Sequence, residues 1–352
     1  MPLREALDLQ GHQPLSPAME DLLCHLAIAT TSYERAAELA KRFGLSTDAN
    51  QIRRVAQRAG ARAEAQAAQR VSAAFDLRAR KEIIRQAELE RRDDPFSIVL
   101  MLDGTMLRFR GRDWGMKPES AAGERVAWHE LKAGLVIVVP ESPSAGKRRE
   151  AEKYYVASDG DPESVGRKLY AEALRRGLER ARQVYIIADG AVWIWKLAET
   201  HFPGSRQTLD FFHAAEHLWE VGRVLWGDDE EKIRAWVTPL RSALKQHGGE
   251  ALLPVLEELL QAPERKLSAE RQQVLNREAA YFRNHESRLD YPRAQRDGFP
   301  LGSGSMESAC SQLQGRFKRT GQFWSKSGER NLMALEIAWR NRDWNEIWAQ
   351  SA

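Results

Sequence analysis

The chain has 352 residues, 43% hydrophobic and 29% charged, the balance of a globular protein with room for two or three domains rather than of a disordered or fibrous one. Its net charge is only +3, so local rather than global charge decides what the surface attracts. Two cysteines without a CxxC spacing, Cys24 and Cys310, exclude a zinc ribbon built from cysteine. No apolar run approaches the ~18 residues of a membrane span, and no apolar stretch follows Met1, which gives the expectation of a cytoplasmic protein.

Residues 1–14, with Gly11 and Pro14, read as irregular. The pattern then predicts a helix from Pro17 to Thr30, a second capped by Ser32 and ending at Gly44, and a third capped by Ser46 or Thr47. Ile52, Val55 and Ala56 form the apolar stripe of the third. Two short helices across a Gly-Leu-Ser turn resemble a helix-turn-helix, and residues 15–60 are read as a DNA-binding region on that ground. Arg53, Arg54 and Arg58 are its candidate contacts to phosphates and base edges; the plainer reading is a helical hairpin. Basic residues outnumber acidic ones between Thr31 and Asp93. Residues 61–93, rich in Ala, Arg, Glu and Gln, predict a long, exposed connecting helix or dimerisation arm.

At Asp94-Pro95 the pattern changes. From about residue 96 the expected order is strand, strand, strand, helix, strand, helix, strand, helix, an α/β core over 94–213. A polar, turn-rich stretch follows the first strand, and residues 140–152 read as a loop or hairpin tip. Residues 214–300 read as an all-helical insertion domain with breaks near Gly227, Gly248-Gly249, Pro263 and Tyr291-Pro292. Residues 301–352 return to the core as helices, the last with Leu332, Leu335, Ile337 and Trp339 placed for burial. Between Gly315 and Arg330 five basic residues stand against one acid, Glu329, a pattern that suits a polyanion or a solvated face.

Three acids stand out. Asp103 interrupts an apolar strand, where a carboxylate is expensive without a partner. Asp189 ends the next buried strand, VYIIAD, where residues of an open sheet point toward ligands. Each Asp-Gly alone is more often a turn. Together they make a carboxylate pair that needs a cation to offset like-charge repulsion, and oxygen-only ligation suits Mg²⁺ or Mn²⁺. Glu307, in the first turn of a helix that follows Gly302 and Gly304, is the candidate third acid; locally it serves equally well as a helix-dipole residue. Two such ions would drive an in-line phosphoryl displacement without a covalent nucleophile.

The segments MLDGT, IIADGAVWIW, LDFFHAAEHLW, GSGSMESAC and GRFKRTGQFWS occur in this order. The set resembles the ISKra-four family of bacterial insertion-sequence transposases, from about Leu15 to the C-terminus. The resemblance implies an RNase H-like mixed sheet with flanking helices and an Asp-Asp-Glu triad, matched by Asp103, Asp189 and Glu307. It further implies two Mg²⁺ or Mn²⁺ ions, double-stranded DNA as substrate (transposon ends and target), and a homodimer or higher oligomer working at the bacterial nucleoid. Related transposases carry an Asp-x-x-His motif after the last core strand; Asp210 and His213 match it, His213 as a phosphate-positioning residue, against the alternative of a helix cap and a packed ring. The comparison also marks Trp324 as a base-stacking residue, although most of the 11 tryptophans must be core. Arg316, Lys318, Arg319 and Lys326 are its flanking DNA contacts. Many relatives carry a zinc ribbon ahead of the helix-turn-helix and this chain does not, as in a short variant or a truncated copy. The competing expectations are a transposase-derived DNA-binding protein without catalysis and a metal-dependent RNase H-type nuclease.

Overall fold

The computed structural model describes residues 15–90, 95–111, 126–140, 151–261 and 267–349. The expectations for residues 1–14, for the polar stretch after the first strand, for the tip at 140–152 and for the break at Pro263 fall largely or wholly outside these residues. At the centre lie β1 (Phe96–Arg110), β2 (Val126–Pro140), β3 (Glu152–Ser158), β4 (Val184–Ala188) and β5 (Arg206–Leu209), in the spatial order β3-β2-β1-β4-β5. β1, β2 and β3 pair antiparallel; β4 and β5 are added parallel to β1. Parallel neighbours need crossover connections, which α5 (Pro162–Arg175) and α6 (Val192–His201) supply before β4 and β5. The strand and helix order expected from residue 96 onward is the order found, in a mixed α/β fold.

Helices cover both faces of the sheet, which is why the first seven residues of β1 are buried without alternation. One face, with Val99, Met101, Tyr185 and Ile187, packs against α12 (Gly304–Phe317), α13 (Lys326–Arg340) and the N-terminal helices α1 (Pro17–Ala29), α2 (Tyr33–Arg42) and α3 (Ala49–Phe75). The other, with Ile98, Leu100, Leu102 and Ile186, packs against α5, α6 and α7 (Phe211–Trp226). That second core continues into the helical excursion α8 (Glu230–His247), α9 (Gly249–Gln261), α10 (Ala269–Asn284) and α11 (Tyr291–Arg296). The excursion closes at its own root, where the Phe211 amide donates to the Leu301 carbonyl at 2.9 Å.

Three local expectations change. Asp48, rather than Ser46 or Thr47, caps α3, its carboxylate accepting the Gln51 amide at 2.8 Å. α3 then runs unbroken for 27 residues through Gly60, so the helix-turn-helix-like region and the expected connector share one helix. The break falls instead at Asp76, whose carboxylate accepts from the amides of Arg78 and Ala79 at the start of α4 (Leu77–Glu90). Trp339 is 50% exposed, one residue past the buried stripe of α13. A short helix, α14 (Glu346–Ala349), completes the described chain, and among the described residues no helix is long and apolar enough to cross a membrane.

Candidate functional site

The parallel register of β1 and β4 sets Ile98 opposite Val184 and Met101 opposite Ile187. Carried two residues further, the same offset puts Asp103 opposite Asp189, one residue beyond the end of β4. Neighbouring strands lie about 4.8 Å apart. Side chains alternate along a strand, so both aspartates share the face of Met101 and Ile187, the face that α12 covers.

Asp103 meets that helix at Cys310, whose thiol hydrogen-bonds the carboxylate. Burial raises the Asp103 pKa, the Gly104 amide at 2.6 Å pulls it back, and the charge of Asp189 raises it again. Burial and the neighbouring Asp103 together push the Cys310 thiol up to about 12. One turn further along α12, and two residues further along β1, Gln314 donates to the Thr105 hydroxyl at 2.9 Å, so the helix lies along the strand. Glu307 sits in the first turn of α12, three residues before Cys310 and on the same side, and is exposed. It stands roughly 4.5 Å along the helix axis from the residue that touches Asp103. The two aspartates therefore form a pair, while among the described residues no three His, Cys, Asp or Glu side chains gather as a metal-binding group.

Asp210 fixes where α12 begins. It is buried, and its Oδ1 accepts the amides of Phe212 (2.6 Å) and His213 (3.0 Å), capping α7. Its Oδ2 accepts both the amide (2.6 Å) and the hydroxyl (2.5 Å) of Ser303, the residue ahead of α12. The cap expected of Asp210 is present, and one carboxylate joins the end of β5 to the helix of Glu307. His213 is partly exposed, 3.3 Å from Glu216, with its ring against His217 at 5.0 Å.

The excursion supplies contacts that sequence reading missed. Tyr281 of α10 donates its hydroxyl to the Asp189 carbonyl at 2.8 Å. Gly190 follows at φ +102°, and a Cβ there would lie 2.8 Å from the Tyr281 hydroxyl and 2.9 Å from His285 Nε2, so only glycine fits. Burial lowers the His285 pKa. Its Nε2 lies 3.1 Å from both Trp195 Nε1 and the Gly190 carbonyl, and its Nδ1 lies 3.1 Å from the Tyr281 carbonyl. The i, i+4 spacing of Tyr281 and His285 in the sequence shows a shared helix face; nothing local connects that face to Asp189.

The basic residues divide. Arg53, Arg54, Lys318, Arg319 and Lys326 are exposed. Arg53 and Arg319, from separate basic runs, line one groove of about 950 Å³ with Arg35 and Arg110. Arg58 forms an ion pair with the buried Glu20, which ties α3 to α1 and leaves half of the side chain exposed. Arg316 is a correction: it is buried, and its guanidinium donates to the carbonyls of Ala27 (3.2 Å) and Thr31 (3.3 Å). Trp324 is another. It is buried against Phe317, its indole N–H donates to the Phe317 carbonyl at 2.8 Å, and its backbone pairs with Arg108 and Arg110 along the edge of β1 that β4 leaves open. Arg316 and Trp324 thus form the buried floor of that groove rather than its exposed rim.

Strand order and acids together define a mixed α/β protein with carboxylates paired across two parallel strands, one within β1 and one just past the end of β4, under a helix that carries a third acid and beside a basic groove. Residues 151–347 match the model of an uncharacterised protein family, UPF0236, and the chain belongs to that family. The match contains Asp189, Asp210, Glu307 and the basic turn between α12 and α13. A comparison with curated proteins gives no match.

Proposed function

We propose that this protein is a DNA transposase with an RNase H-like core, acting on transposon ends as a homodimer or higher oligomer. The observation that carries the reading is the register-matched pair Asp103 and Asp189 beneath the helix of Glu307. The strand order β3-β2-β1-β4-β5 supports the RNase H-like assignment, and the five motifs shared with ISKra-four transposases supply the substrate class. The raised Asp103 pKa fits a cation site, because a half-buried carboxylate next to another is relieved by positive charge. Asp103, Asp189 and Glu307 would hold two Mg²⁺ or Mn²⁺ ions. When bound, the ions would activate an attacking hydroxyl and offset charge on the leaving oxygen of an in-line displacement. Attack by water nicks a strand, and attack by a 3′-hydroxyl joins two. Asp210 positions the Glu307 helix, His213 orients the scissile phosphate, and Arg53, Arg54, Arg58, Lys318, Arg319 and Lys326 hold the DNA backbone.

The test is Mg²⁺-dependent cleavage and strand transfer on DNA from either side of the coding sequence. Asp189→Asn and Glu307→Gln should each cut the rate at least a hundredfold, about 2.7 kcal/mol of barrier, with the circular dichroism spectrum intact. Wild-type rates in both variants would discard the triad. A DNA-binding protein without catalysis is the second reading, favoured by the exposed Glu307 and by the lack of a three-acid group among the described residues. DNA binding by the wild type without any cleavage selects it.

A further inference from the structure

Beyond Asp103, β1 leaves the two-sided core. Thr105, Leu107 and Phe109 stay buried, whereas Met106, Arg108 and Arg110 alternate with them on a more open face. On β2, Trp128 stands directly opposite Arg108. The Arg108 guanidinium lies 4.6 Å from the centre of the Trp128 ring and 5.9 Å from that of Phe323. Arg110 lies 5.2 Å from Phe323, and Lys318 Nζ lies 5.7 Å from Trp128. Two strands and the turn between α12 and α13 thus converge to interleave rings with cations, each within the reach of a cation–π contact. Trp128 still keeps 47% of its surface in solvent. Arg110 and Phe323 also line the basic groove, so patch and groove are continuous.

The charges match a phosphate backbone, and the open indole matches what a duplex conceals, the flat face of a base. We infer that Trp128, backed by Arg108 and Phe323, is a stacking platform for an unpaired nucleobase of DNA whose phosphates follow the groove. The inference rests on the reading of the protein as one that acts on DNA, and it moves the stacking role from the buried Trp324 to the neighbouring strand. Arg108 lies five residues along β1 from Asp103, about 17 Å at ~3.4 Å per residue, and by strand alternation its side chain leaves the opposite face of the sheet.

The experiment is fluorescence anisotropy at fixed salt with the full chain and three labelled DNAs: a blunt duplex, the same duplex with a single-stranded tail of about five nucleotides, and that duplex with an abasic tail. Stacking on one base corresponds to roughly 5- to 150-fold in affinity. The wild type should prefer the normal tail by about tenfold over both other probes. Trp128→Ala should abolish that preference and leave blunt-duplex affinity within about twofold, and Trp128→Phe should keep most of it. Equal binding of normal and abasic tails, a preference that survives Trp128→Ala, or an equal loss on all probes overturns the platform while leaving a DNA-acting protein in place. A wild type that binds none of the three overturns the platform and the DNA reading together.

Discussion

A carboxylate as buried as Asp210 is tolerable only because four donors surround it. Two are first-turn amides of α7, where the helix dipole favours a negative charge. The other two belong to Ser303 and hold the start of α12. Asp210→Ala removes the acceptor for both sets at once, whereas Ser303→Ala removes one donor and leaves the amide in place. Urea denaturation should give a loss of ~3 kcal/mol or more for Asp210→Ala and ~1 kcal/mol for Ser303→Ala. Equal losses would mean that the carboxylate does no more than accept one hydroxyl. Glu329 shows the opposite residue-level case. The lone acid of the basic run is buried, and burial with the nearby Asp159 pushes its pKa up to about 8.

Between elements, a close approach of two helices joins α3 to α13. A Cβ on Gly60 would lie 2.1 Å from the Asn331 carbonyl oxygen, and Gln57 exchanges hydrogen bonds with Gly328 and Asn331 across the same contact. Gly60 costs α3 about 1 kcal/mol of helix propensity relative to alanine, which the close packing offsets. Gly315 in α12 has open space where a Cβ would go. Thermal unfolding should therefore give opposite signs for the same substitution: Gly315→Ala stabilising by ~0.5–1 kcal/mol, Gly60→Ala destabilising by a net ~1–3 kcal/mol. A stabilised Gly60→Ala variant would refute the contact. Through this seam the helix that carries Arg53 is fixed against the helix that follows the basic turn.

At the scale of the molecule, the sheet separates two loads. The N-terminal helices and the basic turn pack on the face that carries Asp103 and Asp189; the helical excursion grows from the other and reaches back to the Asp189 turn through Tyr281. The groove that joins Arg53 to Arg319 exists only because both ends of the chain lie on one face. If it holds phosphates, the slope of log affinity against log salt for duplex DNA should fall by about 1 in each of Arg53→Ala and Arg319→Ala. Arg316→Ala should act instead on the unfolding midpoint, since the side chain is buried and tied to the carbonyls of Ala27 and Thr31. An unchanged slope in both groove variants rules the groove out as the backbone track.

Local chemistry made part of this protein legible without coordinates. The cap at Ser32, the break at Gly227, the apolar run around Asp103 and the strand–helix order after residue 96 depend on neighbours within a few residues, and each is found as read. Tertiary structure alone decided which side of an amphipathic stretch meets what. The basic run around Arg316 and Trp324 has surface composition, yet both residues are core, because the N-terminal helices and the edge of β1 arrive there from far along the chain. The pairing of Asp103 with Asp189, the hold of Asp210 on Ser303 and the exposure of Trp128 are likewise contacts between remote segments, set by strand register and helix docking rather than by any local preference.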